Sequence, residues 1–99
     1  MEEIDFPRPQ VHLFVCVNDR TGRSDKPSCG LRITAENVRE IKRWIIENRL
    51  TTKVYCTKAK CLGFCNPHGS VAVVYPKGRF IKGINNTEDL KQIIREELK

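Results

Sequence analysis

The sequence predicts an α/β fold in which a mixed four-stranded sheet is covered by two helices. Three observations carry that prediction. A β-branched and aromatic run, Val11-His12-Leu13-Phe14-Val15-Cys16-Val17, opens the ordered part of the chain. Apolar residues at helical spacing recur over 34–50 and again over 87–98, and between them a Pro-Lys-Gly turn joins two strand-length runs.

Residues 1–10 hold Pro7 and Pro9 and no periodic pattern, and read as a flexible lead-in to a single domain spanning 11–99. Val11 to Val17 has the composition of a buried strand. Asn18 to Gly30 is polar, contains Gly22, Pro27 and Gly30, and has a cysteine at or near each end. Loops of that length in small domains are usually functional or disordered. Thr34 is a suitable N-cap for a helix through Leu50, whose stripe is Val38, Ile41 and Ile45 with Trp44 beside it. Thr51 to Thr57 forms a second strand candidate, and a short loop then carries Cys61 and Cys65. Val71 to Tyr75 and Arg79 to Ile84 form a hairpin across Tyr75-Pro76-Lys77-Gly78, where proline and glycine suit a type I turn. Thr87 caps a last helix that has Glu88 and Asp89 in its first turn and an apolar face of Leu90, Ile93, Ile94 and Leu98. A β-α-β unit followed by a hairpin and a closing helix is a reduced thioredoxin-like arrangement. The Cys-x-x-Cys at a helix start that thioredoxin chemistry uses is missing.

Ninety-nine residues suffice for one modest core but no deep substrate cavity, since a chain of this size buries roughly 60–70% of its unfolded surface. With 39% apolar and 30% charged residues the composition is that of an ordinary globular protein. No apolar run approaches the roughly 18 residues of a membrane span, and the acidic N-terminus lacks the apolar stretch of a secretory signal, so a cytoplasmic location is expected. In that reducing compartment five cysteines, an odd number, point to metal or redox work more than to disulfides.

The cysteines are spaced Cys16-x12-Cys29, then thirty-one residues, then Cys61-x3-Cys65. Both pairs bracket or fill polar loops that follow strands, so the loops can emerge from one end of the sheet. Four thiolates there form a soft ligand set that suits zinc, copper(I) or an iron–sulfur cluster. Four-cysteine zinc sites usually take two close pairs, and only Cys61-x3-Cys65 fits that spacing. The twelve-residue gap suits a bulkier cluster, which favours iron–sulfur over zinc without deciding between them. Cys56, inside a strand, reads as a small core residue. His12 and His68 are read as structural or solvent-facing, although histidine does replace cysteine in some clusters.

The three stretches His12 to Arg20 ending in Ser28-Cys29-Gly30, Cys61-Leu62-Gly63-Phe64-Cys65, and Val71 to Gly83 together resemble the thioredoxin-like 2Fe–2S ferredoxins of bacteria, the Shethna type. The likeness covers about residues 11 to 98. It implies a βαββα thioredoxin-like fold, one 2Fe–2S cluster held by Cys16, Cys29, Cys61 and Cys65, electron transport, and commonly a homodimer. One departure is Asn66-Pro67-His68-Gly69-Ser70 after the last of these cysteines, a loop one residue longer than the family often has.

The chain carries a formal charge of +6. Arg20, Arg23, Lys26, Arg32, Lys58 and Lys60 flank the two cysteine loops against only Asp19 and Asp25, and this rim is expected to offset cluster charge and to dock an acidic redox protein. The alternative is a four-cysteine zinc module whose basic surface contacts nucleic acid, but neither a stacking signature nor a recognition-helix pattern is visible. A thiol–disulfide oxidoreductase would need a resolving pair at closer spacing. No acid–base pair, activated nucleophile or phosphate loop suggests enzymatic activity.

Overall fold

The computed structural model describes residues 1–17, 32–60 and 69–99. Its elements are β1 (Val11–Cys16), α1 (Ala35–Glu47), β2 (Val54–Ala59), β3 (Ser70–Tyr75), β4 (Arg79–Ile84) and α2 (Thr87–Glu97). The strands form one sheet in the order β2-β1-β3-β4. β1 runs parallel to β2 and antiparallel to β3, and β3 runs antiparallel to β4. This is the mixed four-stranded sheet with two helices that the sequence predicts. The βαββα shorthand omits one strand, because β2, β3 and β4 follow one another without a helix between them.

Strand alternation separates the two sides of the sheet. Val11, Leu13 and Val15 of β1, Val54 and Cys56 of β2, and Ala72 and Val74 of β3 enter one buried cluster. Val38, Ile41 and Ile45 of α1 and Leu90, Ile93 and Ile94 of α2 close it, with Trp44 and Leu98 packed at its margin. Both predicted stripes therefore face the sheet. Each fully buried branched side chain contributes about 1.5–3 kcal/mol, so this cluster is the main source of stability. On the other side His12 stacks on Phe14 at 4.1 Å, and Tyr55 and Tyr75 meet these rings edge-on at 5.5 and 5.7 Å.

The ends of several elements differ from the sequence expectation, each for a local reason. Thr34 caps α1 as expected: its hydroxyl accepts the Asn37 N–H at 3.2 Å while the Asn37 side chain accepts the Thr34 N–H at 2.9 Å. The helix stops at Glu47, three residues before Leu50. Arg49 takes the left-handed conformation at φ 58°. The Arg49 N–H donates to Ile46 and the Leu50 N–H to Ile45, which together make a Schellman ending. Lys53 and Val54 N–H groups then both donate to the Leu50 carbonyl, so 51–53 form a turn. β2 begins only at Val54, where pairing with Val11 becomes available, and runs on to Ala59 opposite Cys16. Asn86, not Thr87, caps α2, because its side-chain oxygen accepts the Asp89 N–H. The β3–β4 turn is not type I: the Gly78 N–H donates to the Val74 carbonyl at 2.7 Å, Gly78 sits at φ 71°, and the Tyr75–Pro76 peptide is cis.

Candidate metal centre

β1 and β2 run parallel and end together, with Cys16 opposite Ala59. β3, antiparallel to β1, begins at that same end. The segment 18–31 therefore leaves, and the segment 61–68 both leaves and returns, at one pole of the sheet. This follows from strand direction alone: a parallel pair must put its two C-termini side by side.

Cys16 occupies the last position of β1 and is 0% exposed. Its Sγ donates to the Lys60 carbonyl at 3.1 Å. Lys60 immediately precedes Cys61, so the segment carrying the second pair of cysteines starts at a residue already touching the Cys16 sulfur. Cys29, Cys61 and Cys65 lie outside the described residues, as do His68 and the basic residues Arg20, Arg23 and Lys26. Among the described residues no group of three or more His, Cys, Asp or Glu side chains gathers as a metal site. The donor that is described fits a thiolate-held metal by chemistry and by position. It is a sulfur on a rigid central strand, at the pole where the remaining cysteine-bearing segments attach.

Cys56 behaves differently. It is 6% exposed, belongs to the core cluster and faces the helices. Burial pushes its thiol up to about 11, which disfavours the thiolate a metal requires. The core reading of Cys56 holds. His12 stands four residues before Cys16 on the same strand, about 13 Å away at ordinary strand rise, and so is far from metal–ligand reach. Its Nε2 pairs with the Thr57 hydroxyl at 2.9 Å, and partial burial holds the ring's pKa below the usual histidine value. That is a structural role.

Arg32, Lys58 and Lys60 are the described part of the expected basic rim and all three are exposed, Lys58 and Lys60 at this pole. Sequence reasoning missed Gly69 and Gly83. Gly69, at φ 133°, is the first described residue after the segment bearing Cys61 and Cys65. A Cβ there would lie 2.7 Å from the Gly83 carbonyl carbon and 2.8 Å from its Cα. Gly83, at φ 81°, sits in a bulge where the register shifts between Ser70–Ile84 and Ala72–Ile81. The Gly69 backbone lies this close to Gly83 because Gly69 has no side chain, and the contact stands where the second segment rejoins the sheet. The only sequence signal was a glycine at the mouth of a strand.

No protein-family profile matches the chain. A "Ferredoxin, 2Fe-2S" from Clostridium pasteurianum is 24% identical over 90 residues, covering 91% of this chain and 86% of that protein. Among solved structures, a thioredoxin-like 2Fe–2S ferredoxin from Aquifex aeolicus superposes with a TM-score of 0.75 at 30% identity, over 93% of this chain and 83% of that one. A cysteine-to-serine variant of the Aquifex protein gives 0.74 at 30% identity, over 90% of this chain and 87% of that one. The chain belongs to the thioredoxin-like 2Fe–2S ferredoxin family. The superposition extends over the body of two helices and a four-stranded sheet. No helix among the described residues is long and apolar enough to cross a membrane.

Proposed function

We propose that this protein is an electron carrier that holds one 2Fe–2S cluster on Cys16, Cys29, Cys61 and Cys65 and serves as a ferredoxin between a reductase and an acceptor protein. The observation that carries the reading is the likeness, along about nine-tenths of the chain, to 2Fe–2S ferredoxins. The burial of Cys16 against the residue that precedes Cys61 agrees with it. When bound, the cluster supplies a one-electron couple; with all-cysteine ligation its potential is on the order of −400 mV. The protein's part is to hold the sulfurs in place, keep the buried side dry and leave the pole accessible to other proteins. Nothing in this role makes or breaks a bond in a substrate, and the protein is not an enzyme by this reading. The similar proteins give the zinc-module alternative no support.

Residues 11–99 form the cluster-bearing domain and 1–10 its lead-in. The protein is cytoplasmic and works as a homodimer, an assignment supported by the family resemblance and tested by sedimentation equilibrium. Purified without oxygen, it is expected to be red-brown, to contain two irons per chain, and to give an EPR signal after dithionite reduction. Alanine, which offers no ligand atom, should abolish iron binding and the visible bands at any of the four positions and leave both intact at Cys56. A colourless protein with one zinc per chain, or full iron retention after Cys16→Ala, would overturn the proposal.

A further inference from the structure

The strand β2 is the outermost on its side, so the edge it turns away from β1 has no strand partner among the described residues. Between this edge and α1 lies a groove of about 310 Å³, lined by Ile45, Ile46 and Val54 and bordered by Lys42. Ile46 is 63% exposed there. Lys42, Lys53, Lys58 and Lys60 are exposed along the groove and the strand beside it, and among the described residues none of the four makes an ion pair. Elsewhere the basic residues are mixed: the exposed Lys82 of β4 has no ion pair among the described residues, but others do. Lys77 and Arg79 both bind Glu97, and Arg95 binds Glu88.

We propose that the free edge of β2 is the docking surface for an acidic electron-transfer protein. The proposal rests on the electron-carrier reading and adds the partner's chemistry and its place of contact. An apolar groove with lysines beside it that form no ion pair among the described residues fits an oppositely charged partner and steers its approach. The groove also leads to the right place. β2 runs about 20 Å, at about 3.3 Å per residue, to Lys60, whose carbonyl touches the Cys16 sulfur. A partner seated along β2 therefore lies beside the pole where the cysteine segments attach, and tunnelling falls steeply with distance. A second copy of the chain does not fit this edge, because a two-fold contact would set its lysines against themselves. Lysines on an open edge also deter unwanted strand pairing. Glutamate deters it equally well, so charge reversal separates that duty from docking.

The test uses the iron-loaded protein, an acidic flavodoxin as the probe partner and a basic cytochrome c as its counterpart. Calorimetric titration and stopped-flow electron transfer are followed from 20 to 300 mM NaCl. The expected result is flavodoxin binding that weakens as salt rises. Lys42→Glu with Lys53→Glu, both remote from the pole where the cysteine segments attach, should weaken it about tenfold or more, while Lys82→Glu on the opposite edge strand changes it less than twofold. The double variant should keep wild-type absorbance and EPR, and cytochrome c should show the opposite salt trend. Unchanged binding and rates in the double variant would overturn the proposal. So would lysine-dependent binding to phosphatidylserine vesicles or duplex DNA at 150 mM NaCl that is tighter than binding to flavodoxin. A wild-type protein without iron bands would sink the carrier reading instead, and the calorimetric arm would still test docking.

Discussion

Replacing Gly69 with alanine tests the contact that returns the second cysteine segment to the sheet. At φ 133° the backbone lies where side chains are strained, which costs about 1–3 kcal/mol. The added methyl would also meet three backbone atoms, the Gly83 carbonyl carbon and Cα and the Ile84 nitrogen, at 2.7, 2.8 and 2.9 Å. Those atoms cannot swing aside as a flexible side chain does, because Ile84 is held in register with Ser70. Overpacking of this kind costs about 1–3 kcal/mol more. A total near 3 kcal/mol corresponds to a melting temperature roughly 12–24 °C lower for a domain of this size. Gly78→Ala provides the control. It too has a positive φ, 71°, but nothing lies within 4 Å of its added methyl, so it bears only the backbone cost, about 1 kcal/mol or roughly 4–8 °C. Both are to be melted under the same anaerobic, reducing conditions and followed by far-UV circular dichroism, with iron content measured beside each. Gly69→Ala should also lose iron faster, because the strand it distorts receives the segment bearing Cys61 and Cys65. If the two variants melted within a few degrees of each other, the steric argument would be refuted.

Further outcomes follow from the same structure. With its thiol pushed up to about 11 and 6% exposed, Cys56 should be alkylated by iodoacetamide at least about 100-fold more slowly at pH 8 than a free cysteine, and peptide mass spectrometry reads this directly. Glu97 is bound by Lys77 and Arg79, and the Lys77 hydrogen bond leads in holding its carboxyl below the usual carboxylate range. Its contribution is therefore present above the unfolded pKa of about 4.3 and is lost as pH falls through the lower folded value. Glu97→Gln should cost on the order of 1 kcal/mol near neutrality and less at pH 3, as urea midpoints taken across that range will show. Arg49→Gly relieves a left-handed residue at the end of α1 and should raise stability by about 0.5–1 kcal/mol, or a few degrees in thermal melts.

The parts of the fold that were legible in the sequence are those with local causes. The β-branched and aromatic run of β1, the position of the turn before β4 and the stripes Val38-Ile41-Ile45 and Leu90-Ile93-Ile94 all follow from neighbours within a few residues. The misread ends depend on contacts that sequence spacing does not carry. Nothing about an arginine announces that it will take the left-handed position that ends α1. The start of β2 is set by Val11, forty-three residues earlier. Asn86 and Thr87 are both good caps, and only the hydrogen bond to the Asp89 N–H decides between them. At the metal centre, Cys16 and Cys56 were separable because one ends a strand at a polar loop and the other lies inside a strand facing helices. The Gly69–Gly83 contact was hidden for the opposite reason, since it joins residues from different strands whose only common property is a missing side chain.

The attachment of both cysteine segments at a single pole bears on how a carrier with the proposed ligand set would be used. The packed helices and the length of the sheet would then lie on one flank of the stored charge. A donor and an acceptor that both approached at this pole would compete for it and would have to visit in turn. Turnover in such a relay would be paced by how quickly the first visitor left.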